Sequence, residues 1–134
     1  MTAQPGLHRP LYFDNVGNMK ASEAVAALGA LAQESRLAVF RLLVKRGPTG
    51  YTPGELAEKL EIPAPTLSFH LKELQRVGLV RVLRDGRYLN YTASFPLMDD
   101  LLGYLTENCC SLADDAGGSV CRPATAVRNQ RKRA

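Results

Sequence analysis

The chain has 134 residues, of which 46% are hydrophobic, 22% charged and 7% aromatic. This composition is typical of one globular domain rather than two. No run of about 18 apolar residues is present, and the N-terminus lacks both a basic start and an apolar signal core, which predicts a soluble cytoplasmic protein with no membrane partner. Three cysteines, two of them adjacent, are a poor framework for a secreted disulfide fold, so we expect reduced thiols.

The net charge of +4 is unevenly distributed. Residues 122–134 carry five basic residues and no acid, and we expect this tail to be a solvated, disordered end rather than a phosphate contact. Residues 66–92 carry five basic residues against two acids, whereas residues 95–121 carry five acids and no basic residue. The local basic segment is therefore more informative about a nucleic-acid partner than the total charge.

The N-terminal third of the chain predicts an arm followed by two helices. Residues 1–18 show no apolar period and are expected to form an irregular arm. From Ser22 onward, a first helix is expected to line one face with apolar side chains, namely Ala24, Val25, Leu28 and Leu31. A second helix is predicted over about 34–46, before the breaker at residues 47–50. Its inward side chains are expected to be Leu37, Phe40, Leu43 and Val44.

Two further helices and a tight turn are predicted in the middle of the chain. Thr52 and Glu55 form a capping box around a proline, which starts a short helix at about 53–60. After a turn at residues 61–64, Pro65 opens the next helix, which Gly78 ends. The helical period buries Leu67, Leu71 and Leu74 and turns Phe69, Lys72 and Arg76 to the opposite side.

A basic hairpin and a last helix complete the predicted elements. Residues 79–84 and 87–92 alternate like strands and are joined by Asp85-Gly86, a strong hairpin signal. The last helix is predicted from Pro96 to about Asn108 and carries a broad apolar stripe. That stripe comprises Leu97, Leu101 and Leu105, flanked by Met98 and Leu102, and Asp99 and Asp100 are expected on a solvated face.

This element order, ααααββα, predicts a mainly α (α+β) winged helix-turn-helix within residues 19–108, followed by a C-terminal segment over 109–134. In such a fold the second helix of the motif enters the major groove of double-stranded DNA. Candidate contacts at its start and along it are Pro65, Thr66, Ser68, Phe69 and Lys72. Arg84 and Arg87 flank the hairpin tip and are candidates for adjacent phosphates or the minor groove.

Four segments resemble the ArsR/SmtB family of metal-responsive repressors. They are residues 30–37 (ALAQESRL), 55–57 (ELA), 66–71 (TLSFHL) and 78–80 (GLV). The resemblance implies a homodimer formed through the first and last helices, which binds a palindromic operator without any cofactor and releases it when an inducer binds. It implies a regulator of transcription rather than an enzyme.

Two inducer sites of that family are not matched here. Residues 55–60 contain no cysteine, where some members carry a cysteine pair, and the last helix contains no histidine for a zinc site. The remaining candidates are Cys109, Cys110 and Cys121, three soft thiol ligands without the fourth ligand that structural zinc takes. Three thiolates satisfy trivalent arsenic or antimony, and the set resembles that of arsenical repressors with a C-terminal site. We therefore expect As(III) or Sb(III) as the inducer.

Other interpretations of these residues stay open at this stage. The cysteines also fit a chance cluster, a thiol redox switch, or a cadmium- or zinc-responsive site in the same kind of repressor. A thiol-based arsenate reductase is disfavoured, because Cys109 and Cys110 follow a helix C-terminus beside carboxylates, a field that opposes thiolate formation. A winged helix that binds only proteins would not need its cations on one side. His70 is expected to be a packing histidine rather than a metal ligand.

Overall fold

The structure, a computed structural model, describes residues 19–113. The predicted arm at 1–18, Cys121 and the basic tail lie outside these residues. The described part contains α1 (Ala21–Leu31), α2 (Glu34–Arg46), α3 (Pro53–Leu60), α4 (Ala64–Arg76), β1 (Val80–Asp85), β2 (Tyr88–Ala93) and α5 (Phe95–Thr106). A single 3₁₀ turn, Gly47–Thr49, follows α2. This order and the antiparallel pairing of β1 with β2 confirm the predicted winged helix-turn-helix.

The core lies where α2, α3, α4 and the base of the hairpin meet. Leu43, Leu56, Leu74 and Leu79 are fully buried there, one from each of these elements or the segment that joins them. The capping box predicted for α3 is present, since the Thr52 N–H donates to Glu55 Oε1 at 2.9 Å and the Glu55 N–H donates to Thr52 Oγ1 at 3.2 Å. The backbone N–H of Thr52 lowers the pKa of the Glu55 carboxyl.

The apolar face predicted for α1 is buried only in part. The buried residues are the alanines Ala24, Ala27 and Ala30, whereas Val25 is 67% exposed and Leu28 is 41% exposed. Small side chains let α1 approach α2 and α4 closely, so the larger apolar residues lie on the other side. Leu37 of α2, also expected inward, is exposed. The described chain thus leaves apolar side chains uncovered around α1.

The hairpin, or wing, pairs Val80 with Ala93 and Asp85 with Tyr88. Its two loop residues are therefore Gly86 and Arg87 rather than the predicted Asp85 and Gly86. Gly86 has a φ of 63°, and a positive φ at the first loop position is the pattern of a type II′ turn. Gly86 therefore determines the type of turn, and both strands begin and end one residue later than predicted.

A short backbone bridge that the sequence did not predict attaches the wing to the rest of the domain. The Tyr51 N–H donates to the Tyr91 carbonyl at 3.0 Å, and the Tyr91 N–H donates to the Tyr51 carbonyl at 2.8 Å. The preceding Gly50 has φ 74° and ψ −179°, a region that only glycine adopts readily. A Cβ at Gly50 would lie 2.5 Å from the Tyr91 carbonyl oxygen. This glycine is what permits the close approach.

The last helix begins and ends earlier than predicted. The Ser94 hydroxyl caps α5 by accepting from the Leu97 N–H at 3.3 Å, and the helix ends at Thr106 instead of Asn108. Asp100, expected on a solvated face, is only 7% exposed. Because it lies three residues after Leu97 and one before Leu101, it falls within the apolar stripe. None of the helices between residues 19 and 113 is long and apolar enough to span a membrane.

Candidate nucleic-acid interface and cysteine pair

The turn between α3 and α4 exposes the start of α4. Glu61 ends α3 in the left-handed conformation with φ 55°, and Pro63 stands at the N-cap of α4. No side chain caps this helix. The first backbone N–H groups of a helix have no intrahelical acceptor and favour anions. The beginning of α4 is therefore suited to face a phosphate or the polar edge of a base.

The candidate residues on α4 share its exposed side. Pro65, Thr66, Ser68, Phe69 and Lys72 are all exposed, and Phe69 keeps 56% of its surface accessible. The opposite side is buried, as the sequence predicts. Short polar side chains, a flat aromatic ring and a cation thus follow one another along one surface, which we call the reading surface.

The two basic residues of α4 differ in their surroundings. Arg76 forms an exposed ion pair with Glu73 at 3.2 Å, so part of its charge is compensated. Lys72 makes no ion pair with any residue between 19 and 113. Exposed ion pairs contribute little stability, but they do reduce the charge offered to a partner. Lys72 is therefore the cation of α4 that is best placed to meet a phosphate.

The wing presents two arginines near its tip. Arg87 occupies the loop, and Arg84 lies at the outer end of the strand face that carries Val80 and Val82. Both side chains are exposed, and neither forms an ion pair within the described residues. The structure thus brings these two cations to one end of the hairpin, beyond its anchored base.

A second basic cluster was missed by the sequence analysis. The Arg46 guanidinium lies 4.6 Å from the centroid of the Tyr51 ring, and Lys59 Nζ lies 5.4 Å from the same centroid. Arg46 Nε also donates to the Gly50 carbonyl at 3.0 Å. These cations come from α2 and α3, outside the basic segment 66–92, and only the fold unites them. They add positive charge beside the backbone bridge that anchors the wing.

His70 is buried, as expected for a packing histidine. The residue is 6% exposed, and its Nδ1 lies 3.3 Å from Arg36 Nη1. Burial, and secondly the charge of Arg36, lower the pKa of His70 below its usual value. The imidazole is therefore neutral at pH 7.

The two adjacent cysteines follow α5 in an irregular turn. Asn108 and Cys110 both have a left-handed φ, of 57° and 63°. Cys109 Sγ lies 3.6 Å from Cys110 Sγ, so the irregular backbone turns both sulfurs toward each other, which a regular helix would not do. Among residues 19–113, no three histidine, cysteine, aspartate or glutamate side chains are grouped to hold a metal ion. The third predicted ligand, Cys121, lies outside this range.

Comparison with known proteins identifies relatives with this architecture. The family described as "Helix-turn-helix domain" matches residues 31–82. A probable mercury resistance operon repressor of Streptomyces lividans is 34% identical over 92 residues, which make up 69% of this chain and 69% of that protein. The transcriptional activator HlyU of Vibrio cholerae is 35% identical over 74 residues, or 55% of this chain and 66% of HlyU.

Solved structures agree with these matches. An ArsR-like transcriptional regulator from Rhodococcus sp. RHA1 shares 26% identity at a TM-score of 0.57, covering 63% of this chain and 76% of that one. The structure of HlyU from Vibrio cholerae shares 34% identity at a TM-score of 0.52, covering 63% of this chain and 92% of HlyU. The chain spans 57% of the regulator YceK of Bacillus subtilis, to which it is 41% identical over 58 residues, and 66% of the HlyU sequence.

Proposed function

Because the chain belongs to the ArsR/SmtB family of winged-helix transcriptional regulators, we propose that it represses transcription by binding a palindromic operator as a homodimer in the cytoplasm. The relatives are transcription regulators, which supports the expectation that the chain is not an enzyme. The observation that carries the proposal is the reading surface with its exposed polar and cationic residues, to which the wing tip adds two exposed arginines.

Each residue of the reading surface has a role set by its chemistry. Thr66 and Ser68, near the start of α4, bond to base edges or phosphates, and the Phe69 ring contacts a thymine methyl group. Lys72 neutralises a phosphate beside the major groove. Arg84 and Arg87 reach the adjacent phosphates or the minor groove.

The exposed apolar residues support a homodimer formed through α1 and α5. Val25 and Leu28 of α1 and Leu102 and Leu105 of α5 are exposed in the single chain. Leu102 also lines a groove of about 370 Å³, whose apolar lining comes mainly from α2 and α5. Apolar surface of this kind marks an interaction site, and a second copy of the chain is the occupant that a palindromic operator requires.

Selection from a random duplex DNA library tests the proposal. We expect an inverted repeat whose half-sites are spaced by about one helical turn, roughly 34 Å. Thr66→Ala and Ser68→Ala should alter the base preference within each half-site, whereas loss of a phosphate contact should weaken binding to every sequence. A protein that is monomeric at micromolar concentration, or that enriches no sequence, would refute the proposal.

We further propose that trivalent arsenic or antimony is the inducer, bound by Cys109, Cys110 and Cys121 in the reduced protein. Metal–sulfur bonds of roughly 2.3 Å place two sulfurs of one centre about 3 to 4 Å apart, a range that includes the 3.6 Å between Cys109 Sγ and Cys110 Sγ. Arsenous acid loses three hydroxyl groups as water when three thiols give up their protons. The relative named for mercury resistance supports a thiophilic inducer.

Titration of the operator complex with arsenite, antimonite, zinc and cadmium, in the presence of a reductant, tests the inducer. We expect arsenite and antimonite to release DNA, and Cys109→Ser, Cys110→Ser or Cys121→Ser each to abolish release while operator binding stays intact. The 3.6 Å separation of the adjacent sulfurs also favours a redox switch as the second candidate. A Cys121→Ser protein that responds to arsenite like the wild type would reject the three-thiol site in favour of the adjacent pair alone, whereas DNA release by an oxidant without arsenite would favour the switch.

The proposed mechanism is a redistribution of dimer conformations. The cysteines follow α5 and belong neither to α4 nor to the wing, so in this mechanism an inducer there acts on DNA through the dimer. Drawing the end of α5 into a three-thiolate site tilts a helix of the interface and changes the spacing of the two α4 helices. A coupling of about 1–3 kcal/mol corresponds to a roughly 5- to 150-fold loss of affinity.

A further inference from the structure

Arg36, in the first turn of α2, joins two other helices. Its Nε donates to the Ala30 carbonyl at 2.6 Å, and its Nη1 donates to His70 Nδ1 at 3.3 Å. Ala30 belongs to α1 and His70 to α4. One half-buried guanidinium therefore links the end of the proposed dimer helix to the helix that carries the reading surface.

The contact with Ala30 supplies what the end of α1 lacks. The last four carbonyls of a helix have no intrahelical donor, and the C-terminus carries partial negative charge. The last turn of α1 contains no basic residue. Arg36 provides both a donor and a cation from the next helix. Its own position is fixed because its backbone N–H donates to Gln33 Oε1 at 2.9 Å.

The contact with His70 extends to the reading surface. A guanidinium has only donors, so His70 Nδ1 accepts and the proton of the neutral ring resides on Nε2. The His70 ring meets the Phe69 ring edge to face, with centroids 5.7 Å apart and planes at 61°. A continuous chain of contacts thus runs from the α1 carbonyl through Arg36 and His70 to an exposed aromatic ring of α4.

We propose that Arg36 and His70 are positioning residues for DNA reading, which fix the rotation of α4 and the orientation of the Phe69 ring relative to α1. The inference rests on the proposed DNA-binding dimer. In that dimer, the geometry between α1 and α4 determines how the two reading surfaces face successive major grooves. Neither residue contacts DNA, so loss of the link should impair sequence discrimination rather than phosphate binding.

Arg36→Lys is the principal test, because lysine keeps the positive charge but cannot donate to both acceptors through one rigid fork. We expect about tenfold weaker binding to the selected operator, with less than about twofold change on random duplex DNA and an unchanged salt slope. Glu34→Asp, which keeps its charge at an exposed position in the first turn of the same helix, is the control and should change neither affinity.

A double-mutant cycle with Phe69→Ala separates positioning from general destabilisation. If Arg36 acts through the Phe69 ring, Arg36→Lys should reduce operator affinity by less than about threefold once that ring is absent. The effects of substitutions at residues that act through one another do not add. His70→Asn provides a second test. The new side chain has an amide oxygen that can accept from Arg36, but it has no ring to pack on Phe69. This variant should retain the melting temperature better than Arg36→Lys and still lose sequence discrimination.

The outcomes are distinguishable. Equal losses on operator and random DNA, or additive effects of Arg36→Lys and Phe69→Ala, would overturn the positioning role while leaving the proposed function in place. A wild-type protein that selects no DNA sequence would overturn both.

Nitrogen-15 NMR of His70 adds a readout independent of DNA. An unprotonated Nδ1 that shifts in Arg36→Lys supports the link, and a protonated Nδ1 in the wild type rejects it.

Discussion

The reading surface and the α1–α5 end of the domain differ in the kind of side chain they leave exposed. Around α4 and the wing tip, the exposed residues are mainly polar or cationic, and the apolar exceptions are Phe69, two wing residues, and the alanine and proline that open α4. Around α1 and α5 they include Val25, Leu28 and Leu105, and an apolar groove lies between α2 and α5. The first region is complete within one chain and offers charge to a partner. The second exposes apolar surface in the single chain and is the region that the proposed homodimer covers.

This difference explains why the two regions call for different experiments. A substitution on the reading surface should change affinity without affecting folding, because the side chains it removes make few contacts within the chain. A substitution on the exposed apolar face should also leave the single chain folded, but it should prevent assembly. Mutations that separate folding, assembly and DNA binding therefore test the comparison directly.

The largest effect is expected from Leu105→Asp. Leu105 is 54% exposed in the single chain, so a carboxylate there remains hydrated in the monomer but becomes buried in the proposed dimer. We expect a folded monomer by light scattering and circular dichroism, with no detectable operator binding. Leu83→Asp is a matched control, since Leu83 is 55% exposed but lies on the wing, and it should remain dimeric. Dimers of Leu105→Asp would contradict the proposed interface.

A smaller but still large effect is expected at Gly50. Gly47 and Gly50 have similar backbone angles, with φ 81° and 74°, yet a Cβ meets nothing within 4 Å at Gly47 and the Tyr91 carbonyl at 2.5 Å at Gly50. Alanine at either position should cost about 1 to 3 kcal/mol in backbone strain. Gly50→Ala should cost about 1 to 3 kcal/mol more through overpacking. Denaturant unfolding measures both, and equal losses would show that the wing does not depend on this close approach.

The sequence predicts the reading surface better than the exposed apolar face of α1 and α5. Helical period places Leu67 inside and Phe69 outside without knowledge of the rest of the fold, and the structure confirms both. The same reasoning was incomplete on α1, where it grouped Val25 and Leu28 with Ala24 on one apolar face, although only Ala24 of these three is buried. The period of α1 allows either face to be buried, and the choice of the alanine face depends on how closely α2 and α4 approach it. The apolar pattern of one helix contains no information about how closely its neighbouring helices approach it.

Long-range contacts also could not be predicted from the sequence. Asp85-Gly86 correctly indicates a hairpin, but the exact loop depends on where glycine can take a positive φ. The Tyr51–Tyr91 bridge joins residues 40 positions apart along the chain and has no local signature. The helical spacing from Leu97 places Asp100 on the buried face of α5, whereas the charge of a carboxylate favours a solvent-exposed position. The assignment of Cys109, Cys110 and Cys121 as inducer ligands remains a prediction.

Lys72→Ala should produce a moderate effect on DNA binding. Because each neutralised phosphate releases counterions, loss of one contact should lower the slope of log affinity against log salt by about 0.9 on any duplex. Arg76→Ala, which removes the cation of α4 that is already paired with Glu73, should change this slope less. Binding isotherms between low and moderate salt provide the measurement. A Lys72→Ala protein with the wild-type slope would remove this lysine from the phosphate contacts.

The smallest effect concerns the pH dependence of stability. Burial and the nearby Arg36 charge lower the pKa of His70 in the folded state, so the unfolded chain binds a proton more readily below pH 6.5. Stability from the neutral imidazole is thus fully present above the unfolded pKa and declines as the pH falls through it. His70→Asn cannot titrate and keeps an acceptor for Arg36. We expect its free energy of unfolding, measured with urea from pH 7.5 to 5.5, to fall less steeply than that of the wild type. Parallel curves for the two proteins would mean that His70 titrates alike in the folded and unfolded states, which its burial beside a guanidinium argues against.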